Sequence, residues 1–391
     1  MQVLRDGGVT ARFVGGCVRD ALAGRAIKDI DIATDALPDR VTSLMRAAGY
    51  KVVPTGIDHG TVTVIVGAAA FEVTTLRHDV ATDGRHATVA FTDDWVADAS
   101  RRDLTMNALS LDADGVLYDP FGGYDDLMAG RIRFVGDPIQ RITEDYLRLL
   151  RFFRFQAHYG RVPPDPAALA ACRTLAPRLA RLSAERVRAE LLRLLEAPYP
   201  LPAVELMRDH AVLEHFLPEA LEIERLSRMV RIETALIAVG PNPMRRLAAL
   251  LHGNSAALEA VARRLRLSTP ERDYLILTRS ESVSPALDAG QVRRRLYRLG
   301  ADRFREVALY CWADDTNADD TAWPGLVEHA AAWSPVRFPV TGVDVMRRGV
   351  PRGPRVGEML AAVEDWWIDG AFSADRSACL ARLDTEIAAS R

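Results

Sequence analysis

Gly15-Gly16-Cys17-Val18-Arg19-Asp20, followed by Lys28-Asp29-Ile30-Asp31-Ile32, is the stretch whose reading decides the fold. The glycine pair predicts a tight strand-to-helix turn whose backbone amides approach phosphate oxygens, with Arg19 as a cationic fork beside them. Side chains alternate with period 2 along a strand, so a strand over Asp29 to Ala33 sets Asp29 and Asp31 on one face and buries Ile30 and Ile32 on the other. Asp-x-Asp also occurs in turns and at exposed strand ends, so the neighbouring glycines and arginine carry much of the weight. No Gly-Lys-Ser/Thr follows, which excludes a P-loop, and Gly15, Gly16 and Gly24 lack the spacing of a dinucleotide fingerprint. With Asp29 and Asp31 as metal ligands and Gly15, Gly16 and Arg19 around a triphosphate, the pattern fits nucleotidyl transfer assisted by two Mg2+ ions.

Further along, Phe71-Glu72-Val73-Thr74-Thr75-Leu76 offers Glu72 as a third carboxylate, on the strand face opposite Phe71 and Val73. An edge-strand charge that blunts aggregation is the alternative for Glu72. Arg101-Arg102-Asp103-Leu104 to Leu109 reads as a helix with a charged start, whose donors and acceptor suit a ribose bearing two hydroxyls. Between them, the polar stretch Arg77 to Asp98, with Asp83-Gly84-Arg85-His86, reads as a mobile loop near the site. A helical pattern over Ile142 to Tyr159 holds Glu144-Asp145-Tyr146-Leu147-Arg148, and places Asp145, Arg148 and Arg151 on one face, with Arg154 a turn beyond. A carboxylate that accepts and a guanidinium that donates match the pairing edges of cytosine and adenine, but not of uracil or guanine. An intrahelical ion pair is the plainer reading. Arg178, Arg181, Arg186, Arg188 and Arg193 form a candidate phosphate-binding face, diluted by Glu185 and Glu190.

The chain has 391 residues, 49% hydrophobic and 26% charged, with a formal net charge of -3. That is globular composition and enough length for two to four modules of roughly 100 to 200 residues each. A nucleic-acid partner would have to be met by local basic patches. The four scattered cysteines lack Cys-x-x-Cys spacing, and no run approaches the ~18 apolar residues of a membrane span, so a reducing cytoplasm is expected, with no membrane and no protein partner. Short strands are expected at Ala11 to Val14, Asp29 to Ala33, Thr61 to Val66, Ala70 to Leu76 and Arg131 to Val135, with a helix at Pro38 to Ala48. From Pro138 the pattern turns helical, as at Ala184 to Leu195 and Ala256 to Leu265. Arg161 to Pro166, Ala197 to Pro202, Asp314 to Gly325 and Phe338 to Pro354 read as linkers. The basic run from Arg347 to Arg355 reads as a solvated turn or as an RNA-contacting loop.

Taken in order, these motifs closely resemble those of the bacterial class II tRNA nucleotidyltransferase and poly(A) polymerase family, the CCA-adding enzymes. Gly15 to Asp20 with Asp29-Ile30-Asp31 looks like the family's metal and triphosphate motif, and Arg101-Arg102-Asp103 like its ribose motif. Asp119-Pro120-Phe121-Gly122-Gly123 resembles the hinge, Glu144 to Arg148 the amino-acid template that chooses CTP and ATP, and Arg181-Leu182-Ser183-Ala184-Glu185-Arg186 the neck motif supporting it. The resemblance spans residues 13 to about 195. It implies an α+β multidomain protein: a polymerase-beta-like mixed α/β nucleotidyltransferase head (1–136), then an all-α neck (137–200), body (201–337) and tail (338–391), the last two holding the tRNA acceptor stem and elbow.

The implied activity is addition of C, C and A to the tRNA 3′ end from CTP and ATP, with Asp29, Asp31 and Glu72 as catalytic carboxylates. Rivals are a poly(A) polymerase or a CC- or A-only enzyme on the same scaffold, and an inactive RNA-binding protein. Two departures matter. The chain reaches Gly15 early, which implies a shortened leading helix. Longer members also carry a C-terminal phosphohydrolase module with a His-Asp pair among further histidines; here the only His-Asp is His78-Asp79, in the head, and His252 stands alone, so that second activity is not expected.

Overall fold

The computed structural model describes residues 1–82, 87–236, 239–317 and 321–389, without the side chains of 58 and 79–89. The chain divides into two compact units, the first comprising Met1–Ile223, Pro241–Pro243 and Arg263–Leu267, the second Glu224–Gly240, Met244–Ala262 and Ser268–Arg391. The expected divisions at 136/137 and 200/201 both lie within the first unit, and that at 337/338 within the second.

The first unit opens with α1 (Gln2–Asp6), β1 (Ala11–Val14), α2 (Gly16–Leu22), β2 (Asp31–Thr34) and α3 (Pro38–Ala47). Strands β3 (Lys51–Gly56), β4 (Thr61–Val66), β5 (Ala69–Thr75), β6 (Arg77–Thr82) and β7 (Ala87–Phe91) precede α4 (Trp95–Ser100), and β8 (Ser110–Leu111) and β9 (Leu117–Tyr118) follow it. Seven strands form one sheet in the order β3-β4-β5-β2-β1-β8-β9. Only β2 and β5 run parallel, in a register that pairs Asp31 with Glu72 and Ile32 with Val73. One face buries Ile32, Val62, Val64 and Val73 against Leu4 of α1 and Val41 and Met45 of α3, with Ile30 packed at the margin. By alternation Asp31, Ala33, Glu72 and Thr74 project from the other face. Glu72 therefore stands on an interior strand, and the edge-charge alternative lapses.

Helices α5 (Gly123–Ala129), α6 (Pro138–Glu144), α7 (Leu147–Tyr159), α8 (Pro166–Leu175), α9 (Ala184–Leu195) and α10 (Leu201–Asp209) complete the unit. Asp119 accepts from the Gly123 and Tyr124 amides and so starts α5. A Cβ at Gly123 would lie 2.1 Å from the Thr105 carbonyl oxygen, so only glycine allows that close approach. Among its described residues the second unit consists of helices and their connecting loops, without a strand. It has two apolar clusters, one around Phe304, Trp312 and Trp323 and one around Trp367, Ile368 and Leu383. Beside the first, Arg245 pairs with Glu233 and Glu306, Arg246 pairs with Glu233, and the Tyr274 hydroxyl donates to Glu306. Arg348 of the basic run is tied to Asp384, whereas Arg347 and Arg352 are exposed.

Five local expectations are corrected. The strand expected from Asp29 begins only at Asp31, because β1 pairs Phe13 with Ile32 and turns at Gly15, leaving the residues before Asp31 without that ladder partner. Arg131 to Val135 is no strand; its one ladder contact is an isolated bridge from Phe134 to Leu104. Arg77 to Asp98 forms the β6–β7 hairpin and α4 instead of a loop, and Asp83 to His86 lie outside the described residues. The helix expected over 101–109 is absent: α4 ends at Ser100, Leu104 is extended, and one 3-10 turn covers Thr105–Asn107. The Asp103 carboxylate accepts from the Leu104 amide at 2.9 Å, a local bond that competes with helix. The helix expected over 142–159 breaks at Asp145, whose backbone is extended and whose carboxylate accepts from the Leu147 amide at 3.1 Å.

Candidate functional site

The turn between β1 and α2 builds one wall. Gly15 has φ 71°, and a Cβ there would meet the Arg102 guanidinium at 2.7 Å, so glycine lets that cation lie against the turn. One turn into α2, Arg19 is fixed on several sides. Its Nε and Nη2 donate to Asp20 at 3.0 and 2.9 Å, its Nη1 donates to Asn107 Oδ1 at 2.6 Å, and its plane lies near the rings of Phe155 and Tyr159. The Tyr159 hydroxyl donates to Asp20 at 2.6 Å. Burial pushes the Asp20 carboxyl up, but the Arg19 and Tyr159 bonds outweigh it and hold it below its usual range.

Asp29, Asp31, Gly16 and Arg19 line a cleft of 450 Å³ together with Arg25, Lys28, Arg154 and His158. Asp31 also lines a second cleft of 300 Å³, with Glu72, Thr74, Arg101 and Arg102. It is thus the boundary between the two. Among the described residues, the side chains of Asp29, Asp31 and Glu72 have no hydrogen-bond or ion-pair partner. Burial raises the Asp31 carboxyl above its ordinary value; Arg102 opposes this and the neighbouring charge of Asp29 adds to it.

Such a corner suits a divalent cation, because two adjacent carboxylates supply hard oxygen donors and repel one another without one. Among the described residues no group of three or more His, Cys, Asp or Glu side chains is gathered to hold an ion alone. The donor set fits Mg2+, which binds through one or two carboxylates and completes its shell with water and substrate phosphates.

The remaining candidates are bound to one another. Asp98, buried in α4, accepts from Arg101 Nε at 2.9 Å and the Arg77 amide at 3.2 Å, and pairs with Arg102 at 3.5 Å. Asp103 accepts from Arg151 Nε at 2.6 Å and Asn107 Nδ2 at 2.9 Å. Burial alone would raise the Asp103 carboxyl, but Arg151, Asn107 and the Leu104 amide hold it far below the usual carboxylate range. Arg154 pairs with the buried Glu190 at 2.7 Å.

Asp145 and Arg148 do not pair, nor do they share a helix face. Asp145 Oδ2 accepts from Arg186 Nη2 at 2.7 Å. Arg148 donates to Glu144 at 2.6 Å, to the Arg141 carbonyl at 3.1 Å and to the Arg101 carbonyl at 2.8 Å. The expected arginine face from Arg178 to Arg193 is also dispersed: Arg186 serves Asp145, Arg188 reaches the Arg266 carbonyl, Arg181, before α9, lies near the Tyr146 ring, and Arg193 lines the first cleft. Asp98 and Asn107 went unmarked as site residues in the sequence. Their buried polar side chains flank the Arg-Arg-Asp triplet, and that adjacency is the signal that would have found them.

Residues 11–133 match the family model described as the poly A polymerase head domain, and residues 163–223 the one described as a probable RNA and SrmB-binding site of polymerase A. The chain is 36% identical over 391 residues to a CCA tRNA nucleotidyltransferase 1, mitochondrial, from Danio rerio, covering 95% of this chain and 86% of the relative. It is 32% identical over 397 residues to a CCA-adding enzyme from Levilactobacillus brevis, covering 98% and 96%. Its fold matches the Bacillus stearothermophilus CCA-adding enzyme in complex with CTP at a TM-score of 0.75 and 29% identity, over 100% of this chain and 96% of that one. A Thermotoga maritima CCA-adding enzyme complexed with tRNA-CCA shares the fold at a TM-score of 0.70 and 20% identity, over 98% and 93%.

Proposed function

The chain belongs to the tRNA nucleotidyltransferase and poly(A) polymerase family of CCA-adding enzymes, and from that membership we propose that it adds C, C and A to the 3′ end of tRNA from CTP and ATP. In each cycle the terminal hydroxyl of the tRNA attacks the α-phosphate of the bound nucleotide, a phosphodiester bond forms, and pyrophosphate leaves. The observation that carries this reading is Asp31: its strand register sets it beside Glu72, Asp29 flanks it in sequence, and it lines both clefts without an ion-pair partner among the described residues.

Asp29 and Asp31 would hold two Mg2+ ions, which when bound supply charge neutralisation for the triphosphate and acidity for the attacking hydroxyl. Glu72, in the second cleft, orients that hydroxyl. Gly15, Gly16 and Arg19 hold the triphosphate, and Arg101, Arg102 and Asp103 the ribose. Asp145 and Arg148 present the acceptor and donor that suit C and A, with Arg151 and Arg154 steadying that end of the nucleotide. Arg148 must exchange at least one present partner for the base, so template selection carries a local rearrangement.

We assign residues 1–136 as the head, 137–200 as the neck, 201–337 as the body and 338–391 as the tail, with body and tail holding the acceptor stem and elbow. Four free thiols favour a reducing compartment, which we take to be the cytoplasm. Among the described residues no helix is long and apolar enough to cross a membrane. The test is to incubate the protein with tRNA ending at the discriminator base, with CTP and ATP separately and together, and to sequence the products. Two C residues with CTP alone and CCA with both are expected. A long A tail would overturn the reading in favour of a poly(A) polymerase, and no extension in favour of a binding protein.

A further inference from the structure

We infer that Asn107 is a positioning residue that locks the triphosphate arm of the site to its ribose arm, and so sets the preference for ribonucleotides over deoxyribonucleotides. The inference rests on the proposed nucleotidyl transfer and assigns a residue that the motifs leave without a role.

Asn107 is 6% exposed. Its Oδ1 accepts from Arg19 Nη1 at 2.6 Å, its Nδ2 donates to Asp103 Oδ1 at 2.9 Å, and its backbone carbonyl accepts from Arg102 Nη1 at 3.4 Å. One side chain therefore touches a member of each arm, and its main chain touches a third candidate. The orientation of the amide is forced: a guanidinium has only donors and an ionised carboxylate only acceptors, so Oδ1 must face Arg19 and Nδ2 must face Asp103. Among similarly sized side chains only an amide meets a cation and an anion at once. Aspartate would set two carboxylates together, and leucine would leave both partners short of a bond.

A buried amide can simply fill a polar hole, but the surroundings argue for more. Arg19 keeps a two-pronged bond to Asp20, and Asp103 keeps Arg151, when Asn107 is removed. Each partner thus retains an anchor of its own, and what is lost is their relative placement. The bond between β1–α2 and the segment after α4 spans 88 positions in sequence. It fixes how far the group that meets the sugar hydroxyls stands from the group that meets the phosphates. If that spacing drifts, a 2′ hydroxyl no longer finds its acceptor while the phosphates are seated.

Single-turnover extension of tRNA by CTP, dCTP, ATP and dATP, with inhibition by pyrophosphate, separates the roles. Asn107→Ala should lower kcat/KM for CTP and ATP alike by about 10- to 100-fold, the size of losing hydrogen bonds to charged groups. The CTP over dCTP preference should fall by about tenfold and the CTP over ATP ratio should stay level. Asn107→Asp keeps the acceptor for Arg19 and turns the Asp103 contact repulsive, so it should lose the sugar preference while pyrophosphate inhibition stays near wild type.

A sugar preference unchanged in both variants overturns the assignment, as does a sugar preference and pyrophosphate inhibition that shift together in Asn107→Asp. Should Asn107→Ala fail to fold, Asn107→Asp decides alone. A wild-type protein that extends no tRNA overturns the proposed activity and this assignment with it. A wild type that extends tRNA with a sugar preference indifferent to Asn107 overturns this assignment only.

Discussion

The first unit holds two groups of carboxylates that differ in their company. Asp103, Asp145 and Glu190 each have an arginine within ordinary bonding distance: Arg151, Arg186 and Arg154. Asp29, Asp31 and Glu72 have none among the described residues. Paired carboxylates hold arginines in place and stabilise the fold; the others have no direct partner among the described residues, and Arg102 only partly offsets the burial of Asp31. The contrast shows up in the opposite displacements of Asp103, below its usual range, and Asp31, above it. We read the first group as scaffold for the nucleotide and the second as the place where cations belong.

The largest loss is expected from removing the unpaired group. Asp29→Ala or Asp31→Ala should reduce incorporation on the order of 10³-fold or more, as expected when several kcal/mol of transition-state charge stabilisation is lost. Filter binding of tRNA should be nearly intact, and retained catalysis would end the metal assignment.

Removing a paired carboxylate should be felt in the fold. Asp103→Ala leaves Arg151 without its main partner and should cost about 3–5 kcal/mol in denaturant unfolding, the usual loss when one member of a buried ion pair is deleted. The pH dependence follows in sign. The Asp103 carboxyl is displaced downward, so its contribution is present above the ordinary carboxylate range and fades as pH falls through and below it. An Asp103→Asn protein that matches wild type across that acidic window would contradict the pairing.

The template residues should show a smaller and more selective effect. Asp145→Ala should raise misincorporation of UTP and GTP relative to CTP by about 10- to 100-fold, the scale of a charged hydrogen bond, with tRNA binding unchanged. Arg186→Ala should do the same more weakly, because it acts by orienting Asp145. Equal losses for all four nucleotides would show that the pair supports the fold and not the choice.

Much of this was legible in the chain because it is local. Strands β1 and β4 and helix α9 have the bounds that alternation and periodicity predicted. The sharing of one face by Glu72 and Asp31 needed only the period of a strand, once register set the strands side by side. Other features are not local, and no window on the sequence contains them. The break at Asp145 is steadied by Arg186, 41 positions away, and Arg151 meets Asp103 across 48. Helical periodicity over 142–159 misses a break imposed by one short polar side chain that bonds its own backbone. The Arg101 to Leu109 stretch misled in the same way: its apolar spacing suits a helix, but Asp103 bonds the next amide and Leu104 is drawn out to bridge Phe134.

That the Asp31 carboxylate is held at a cost until a cation meets it can be read from thermal unfolding of wild type and Asp31→Asn, each with no divalent ion and with Mg2+ plus CTP in the absence of tRNA. A carboxyl displaced upward weakens the fold once pH has risen through its range. In metal-free buffer near neutral pH, Asp31→Asn should therefore melt above wild type, with the gap closing in acid. Mg2+ with CTP should raise the wild-type melting temperature and leave the variant nearly where it was. A variant that melts below wild type without metal, or that gains as much from Mg2+ and CTP, would show that Asp31 is no cation ligand.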